Sequence, residues 1–117
     1  MVEDEPLIRL GIVALIEDAG YVVREAANAD DAIRRLEAEP DIRLVVTDVD
    51  MPGTMDGIRL AHFVRHRWPP VKLIVISGKA GVSSGLLPEG TRFIPKPYPE
   101  AQLVGAVGAL LGTEGQG

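Results

Sequence analysis

Side chains capable of acid, hydroxyl or ammonium chemistry recur at the ends of apolar runs in this chain. Glu3 and Asp4 follow Val2, and Asp48 follows Leu44-Val45-Val46-Thr47, with Asp50 two residues on. Ser77 closes Leu73-Ile74-Val75-Ile76, and Lys96 follows Arg92-Phe93-Ile94-Pro95. If those runs are neighbouring parallel strands, the groups meet at one sheet edge, beyond the strand C-terminal ends where open α/β folds bind ligands. Carboxylates gathered there need a cation, since two like charges ~4 Å apart repel by about 4 kcal/mol at an effective dielectric of 20. All-oxygen ligation with room for water suits Mg²⁺. Lys96 adds one more positive charge, so the set is built for a divalent ion and a second anion, best a phosphoryl group. A single strand-end Asp is as often a helix cap as a site. The joint order at four strand ends decides for the site.

The elements that must hold these residues are legible from punctuation and periodicity. Asp4 is a candidate N-cap with Pro6 in the first helical turn, and Ile8, Ile12, Leu15 and Ala19 recur at helical spacing until Gly20. Residues 21–26 are expected as a short strand. Asn28 caps a second helix with Ala29, Ile33 and Leu36 on one face, stopped by Pro40. Residues 42–47 form a strand apolar enough to be covered on both faces. A loop over 48–57 leads to a helix over 58–68, ended by Pro69-Pro70. Strands are expected over 72–77 and 92–95, with a weak segment between them allowing one or two helical turns around 82–87. A last helix covers 99–111, with Leu103, Val107 and Leu110 inward. Strands alternating with helices imply a parallel sheet with helices on both faces.

At 117 residues one domain is expected, residues 1–111, with 112–117 as a flexible tail. Net charge is −5, which argues against direct nucleic-acid binding. The absence of cysteine excludes a disulfide scaffold, a thiolate zinc site and a Cys nucleophile. No apolar run reaches membrane-spanning length and no signal peptide is legible, so a cytoplasmic location without membrane contact is expected. His62 and His66 have a metal-compatible i, i+4 spacing but lack a further ligand, so a solvated face is the better reading. Trp68 reads as a core or rim anchor. Arg34-Arg35 and Arg65-His66-Arg67 read as solvated faces.

Taken in order, Val2-Glu3-Asp4-Glu5-Pro6, Asp48-Val49-Asp50-Met51-Pro52-Gly53 with Met55-Asp56-Gly57, Ser77-Gly78 and Lys96-Pro97-Tyr98 resemble the response-regulator receiver domain of two-component signalling. The resemblance covers essentially the whole chain. It implies a flavodoxin-like, doubly wound parallel sheet of strand order 2-1-3-4-5. It implies that Asp48 is the phosphoacceptor, taking a phosphoryl group from a histidine kinase or histidine phosphotransfer protein. Mg²⁺ would be held by Asp4 directly, Glu3 through water, Asp48, and the Asp50 backbone carbonyl. Lys96 would pair with the phosphoryl oxygens, Ser77 would be the switch hydroxyl, and Phe93 the aromatic that changes rotamer. The Lys96–Pro97 bond would be cis. The implied protein is a phosphoacceptor with self-catalysed phosphorylation and dephosphorylation rather than an enzyme, with an unknown downstream protein partner and room for a homodimer.

The chain departs from that pattern in three places. The first strand is reduced to Met1-Val2, the fourth-helix region is short and broken by Gly and Pro, and no output domain follows Leu111, as in a single-domain regulator. A truncated central strand would leave backbone groups unpaired near 22–25 and 44–47, at about 1–3 kcal/mol each. A chain starting at Met1 is therefore expected to be marginal, with apolar residues ahead of Val2, or a swapped segment, completing the strand.

Two other functions remain open on the residues alone. A haloacid-dehalogenase-type phosphatase also uses Asp-x-Asp, as in Asp48-Val49-Asp50, but needs its acidic pair after the lysine rather than before it. A receiver fold that no longer takes phosphate would act as an interaction module, against which the intact Asp48, Ser77 and Lys96 speak. Turnover of a phosphate ester separates the phosphatase from the others.

Overall fold

The computed structural model describes residues 1–49, 56–78 and 84–112. Helix α1 spans Pro6–Asp18 and begins on Pro6, whose fixed φ suits the first helical position. The cap is consequently the residue before it: Glu5, rather than Asp4, accepts from the Leu7 N–H at 3.3 Å. Asp4 is thereby left to the sheet edge. Helix α2 spans Ala29–Ala38 and is capped as expected by Asn28, which accepts from Asp31 N at 2.8 Å. The basic pair on its outer face is engaged at the surface, Arg34 with Asp31 and Arg35 with Glu39.

Three parallel strands follow, in spatial order β1 (Leu44–Asp48), β2 (Lys72–Ser77), β3 (Arg92–Pro95). Leu44 pairs with Lys72 and Asp48 with Ile76, while Ile74 pairs with Arg92 and Ser77 with Pro95. Helix α3 (Gly57–Arg67) and helix α4 (Glu100–Leu111) complete the wrap. Within 78–90 a single 3-10 turn at Ser84–Leu86 is described, and 79–83 lie outside the described residues.

The expected strand over 21–26 does not form. Only Ala26 makes a bridge, to Val2, and Val2 bridges Thr47 on its other side. Val2 N donates to Val46 O at 2.7 Å, Asp48 N to Val2 O at 3.1 Å, and Glu3 N to Ala26 O at 3.0 Å. A ladder needs a partner of equal length, and here the partner runs only from Met1 to Glu3. The first β segment of the chain is thus present as a single pair of bridges.

Alternation along the strands divides the core into two layers. Val45, Leu73 and Val75 face Ala32, Leu36, Leu60 and Val64 of α2 and α3. Val46, Ile74, Ile76 and Ile94 face Ile12, Ile16, Leu103 and Val107 of α1 and α4. Burying an Ile or Leu completely contributes about 1.5–3 kcal/mol, and Leu73, Ile74 and Ile94 are wholly buried. This two-sided cover fixes strand register and therefore which residues reach the C-terminal edge. Trp68 sits at the rim as expected, its ring 6.0 Å from Phe63 and under the Arg67 guanidinium. His62 and His66 are exposed, and His62 Nε2 lies 2.9 Å from the Leu86 carbonyl. Among the described residues no helix is long and apolar enough to cross a membrane.

Candidate functional site

Each strand delivers one group to the same edge. Glu3 and Asp4 follow the Val2 bridge, Asp48 is the last residue of β1, Ser77 the last of β2, and Lys96 the first residue after β3. One carboxylate oxygen from each of Glu3, Asp4 and Asp48 lies within 4.8 Å of the others. Glu3 and Asp48 are buried and Asp4 is exposed. Lys96 Nζ stands 3.1 Å from Asp48 Oδ1. The lysine is aimed by its backbone: its N–H donates to the Ser77 carbonyl at 2.9 Å, and the bond to Pro97 is cis, as the resemblance implies. Gly78 leaves the stem its path, since a Cβ there would already touch Lys96 Cβ at 3.4 Å. Ser77 is buried beside this turn. Phe93 is half-buried against the α2–α3 layer. Asp50, the fourth expected metal contact, lies outside the described residues.

Two further residues position the site through contacts that no sequence pattern announces. Arg9 donates from Nη1 to the Glu3 carbonyl at 2.7 Å and from Nε to Glu25 at 3.1 Å, so it ties the acidic segment to α1 and to the 21–26 segment. Its spacing from Glu3 carries no motif. Gly57 lies directly against the Asp48 backbone, a contact that only the tertiary structure reveals.

The electrostatics favour a cation. The Glu3 carboxyl titrates above its ordinary range, first because burial desolvates it and further because of the Asp48 charge and the Asp4 carboxyl; the Glu5 N–H and Lys96 oppose this only in part. A set of hard carboxylate oxygens, two of the three groups buried, with one ammonium beside it matches Mg²⁺, which binds carboxylates while keeping several waters. The sign of the pH effect follows. A carboxyl raised in the folded state stabilises the fold while protonated, and that contribution is lost as pH climbs through its folded value. In EDTA the chain is therefore expected to lose stability from this group above about pH 4.5. Added Mg²⁺ should raise the melting temperature at neutral pH and have little effect near pH 4. Asp4→Ala should weaken the Mg²⁺ response; equal Mg²⁺ shifts in wild type and Asp4→Ala, by calorimetry, would remove Asp4 from the metal site.

The response regulator receiver domain family matches residues 1–108. The chain belongs to that family. It is 33% identical over 114 residues to the response regulator receiver protein CpdR of Brucella abortus, covering 95% of this chain and 93% of CpdR. It is 36% identical over 115 residues to the sensor kinase CckA of the same organism, but spans only 12% of that protein's length. Among solved structures, a response regulator receiver protein from Sinorhizobium medicae superposes with a TM-score of 0.86 at 30% identity, covering 94% of this chain and 90% of that one. The Thermotoga maritima response regulator TrrA, solved in complex with Mg²⁺-BeF, gives a TM-score of 0.80 at 25% identity, with 93% and 94% covered. As a receiver domain of two-component signalling, the chain has the flavodoxin-like parallel sheet of its family, with four α-helices among the described residues.

Proposed function

We propose that this receiver domain takes a phosphoryl group from a phosphohistidine onto Asp48 and relays the signal by conformational change or onward transfer. The observation that carries this reading is a buried strand-end carboxylate with an ammonium 3.1 Å away and two further carboxylates beside it. An Asp48 oxygen attacks phosphorus, the P–N bond breaks, its electron pair stays on the departing imidazole nitrogen, and an acyl phosphate forms. Lys96 is placed to pair with the phosphoryl oxygens. Glu3, Asp4 and Asp48, with the Asp50 carbonyl, would hold Mg²⁺, which when bound offsets the charge gathered on carboxylate and phosphoryl oxygens. Ser77 is the proposed switch hydroxyl and Phe93 the aromatic that follows it. The place of Val2 between Ala26 and Thr47 supports the strand order 2-1-3-4-5. The near-complete coverage of CpdR supports a single receiver unit over 1–111.

The donor surface is proposed on α1, next to Asp4. Leu7 and Leu10 are 78% and 57% exposed there, one helical turn apart, an apolar face on which a phosphohistidine-bearing helix can pack. Leu10→Asp should slow uptake from a phosphorylated histidine kinase about tenfold or more relative to uptake from acetyl phosphate, as loss of a buried apolar contact does at interfaces. Equal slowing with both donors would place the effect in the site rather than on this surface.

The direct experiment is incubation with acetyl phosphate and Mg²⁺, followed by intact mass. A gain of one phosphoryl group, dependent on Mg²⁺, is expected. Sustained turnover of a phosphate ester would instead support a phosphatase.

A further inference from the structure

Asp4 and Glu5 form a bend between the Val2 bridge and the first turn of α1, where neither ladder nor helix fixes the backbone. The bend takes its shape from individual bonds. Glu3 N donates to Ala26 O at 3.0 Å, and Glu5 N closes onto the Glu3 carboxylate at 3.0 Å. The peptide between Glu3 and Asp4 is held from outside the bend, by Arg9 Nη1 on the Glu3 carbonyl at 2.7 Å. Fixing that carbonyl fixes the peptide plane, and with it the direction in which Asp4 leaves the chain.

Arg9 is itself anchored. Its Nε donates to Glu25 Oε1 at 3.1 Å, and the Glu25 carbonyl accepts from Arg35 Nε of α2 at 3.2 Å. One side chain therefore ties the acidic bend to the 21–26 segment and, through it, to α2. A planar guanidinium can do this because its donors point in fixed relative directions, which a lysine ammonium cannot reproduce. The Arg9 side chain is 19% exposed, so these contacts are only partly screened.

Rigidity at this point discriminates between ions of equal charge. Mg²⁺ demands near-octahedral oxygens at about 2.0–2.1 Å, whereas Ca²⁺ accepts a looser shell at about 2.3–2.6 Å. The smaller ion needs its carboxylates close together against their mutual repulsion, and a braced backbone supplies that. A slack backbone lets them spread to the distances that Ca²⁺ prefers. We propose that Arg9, anchored by Glu25, is a positioning residue that makes the site choose Mg²⁺ over Ca²⁺. The inference rests on the proposed role of Glu3 and Asp4 in holding the metal. Arg9 acts through the Glu3–Asp4 peptide, which it orients.

The test titrates the full chain with Mg²⁺ and separately with Ca²⁺, following backbone amide shifts by NMR, in wild type, Arg9→Ala, Arg9→Lys and Glu25→Gln. Both ions carry two charges, so losing the Arg9 charge acts on them alike and the ratio of their dissociation constants reports geometry. Arg9→Ala is expected to weaken Mg²⁺ by about tenfold or more, as loss of an outer-shell contact does. Ca²⁺ should stay within about threefold, because its shell tolerates displacement. Arg9→Lys keeps the charge without the fork and should lower the Mg²⁺ preference by an intermediate factor. Glu25→Gln, at a side chain 42% exposed, leaves the core untouched. It should lower the preference in the same direction and add nothing in the Arg9→Ala background.

An unchanged ratio in Arg9→Ala would overturn the proposal while leaving the metal site in place; if that variant does not fold, an unchanged ratio in Glu25→Gln does the same. Full wild-type preference in Arg9→Lys would overturn it too, since charge alone would then suffice. So would an undiminished effect of Glu25→Gln in the Arg9→Ala background, because Glu25 would be acting by another route. A wild-type chain that binds neither ion would instead remove the metal site itself, and this inference with it.

Discussion

Asp48→Asn is expected to abolish the phosphoryl mass gain from acetyl phosphate while leaving the chain more stable than wild type in the absence of Mg²⁺. The two effects share one cause. Asp48 sits in a triad of carboxylates whose oxygens lie within 4.8 Å of each other. Each close like-charge pair costs on the order of 4 kcal/mol at an effective dielectric of 20. Among the described residues the attraction opposing these repulsions is the contact with Lys96, whose side chain is 36% exposed and so partly screened. The amide keeps the shape of the carboxylate, removes two repulsions for one attraction, and loses the proposed nucleophile. Mg²⁺ should shrink the stability gain, because it relieves the same repulsion in wild type. Lys96→Ala is the companion variant. It keeps the proposed nucleophile but removes the ammonium 3.1 Å from it, and uptake should slow by about 10²–10³, as when one preorganised charge stabiliser is deleted. Intact-mass time courses check both. An Asp48→Asn chain that still gains a phosphoryl group would move the acceptor elsewhere.

Much of this site is legible in the sequence because a parallel sheet turns linear order into position. Once β2 and β3 are recognised from 72–77 and 92–95, the residues ending them must share an edge, and both strands form with those bounds. The first strand shows where such reading stops. Residues 21–26 have the β-branched and aromatic composition of a strand, yet composition cannot say that the neighbour is three residues long, and the ladder depends on the neighbour. The helix cap fails for a related reason. Asp4 and Glu5 are both able to cap, and the choice is made by Pro6 fixing the first turn and by Glu3 and Asp4 being drawn into the edge cluster. Arg9 and Gly57 act through contacts with backbone atoms outside their own elements, for which no local pattern exists.

Gly57→Ala is expected to be the most damaging single-methyl change in the described fold. A Cβ at this position would lie 2.1 Å from the Asp48 carbonyl oxygen, 2.7 Å from Val49 Cα and 2.8 Å from Asp48 C. All three are backbone atoms, so no rotamer relieves the contact. Either α3 moves outward or the end of β1 moves inward. The first breaks the bond from Gly57 N to Val49 O at 2.9 Å and opens the buried packing of Leu60 and Ala61 on the sheet. The second displaces Asp48 from Lys96. Overpacking ordinarily costs about 1–3 kcal/mol, and an unyielding backbone contact belongs at or above the top of that range. For a domain of this size about 3 kcal/mol lowers the melting temperature by roughly 12 °C or more. The contrast lies in the same chain. A Cβ added at Gly11 in α1 or Gly105 in α4 would meet nothing within 4 Å, so alanine there should stabilise by about 0.5–1 kcal/mol through helix propensity alone. Urea midpoints of the three variants give opposite signs if the contact is as tight as the geometry states. A Gly57→Ala chain as stable as wild type, with unchanged phosphoryl uptake, would mean that α3 does not bear on Asp48.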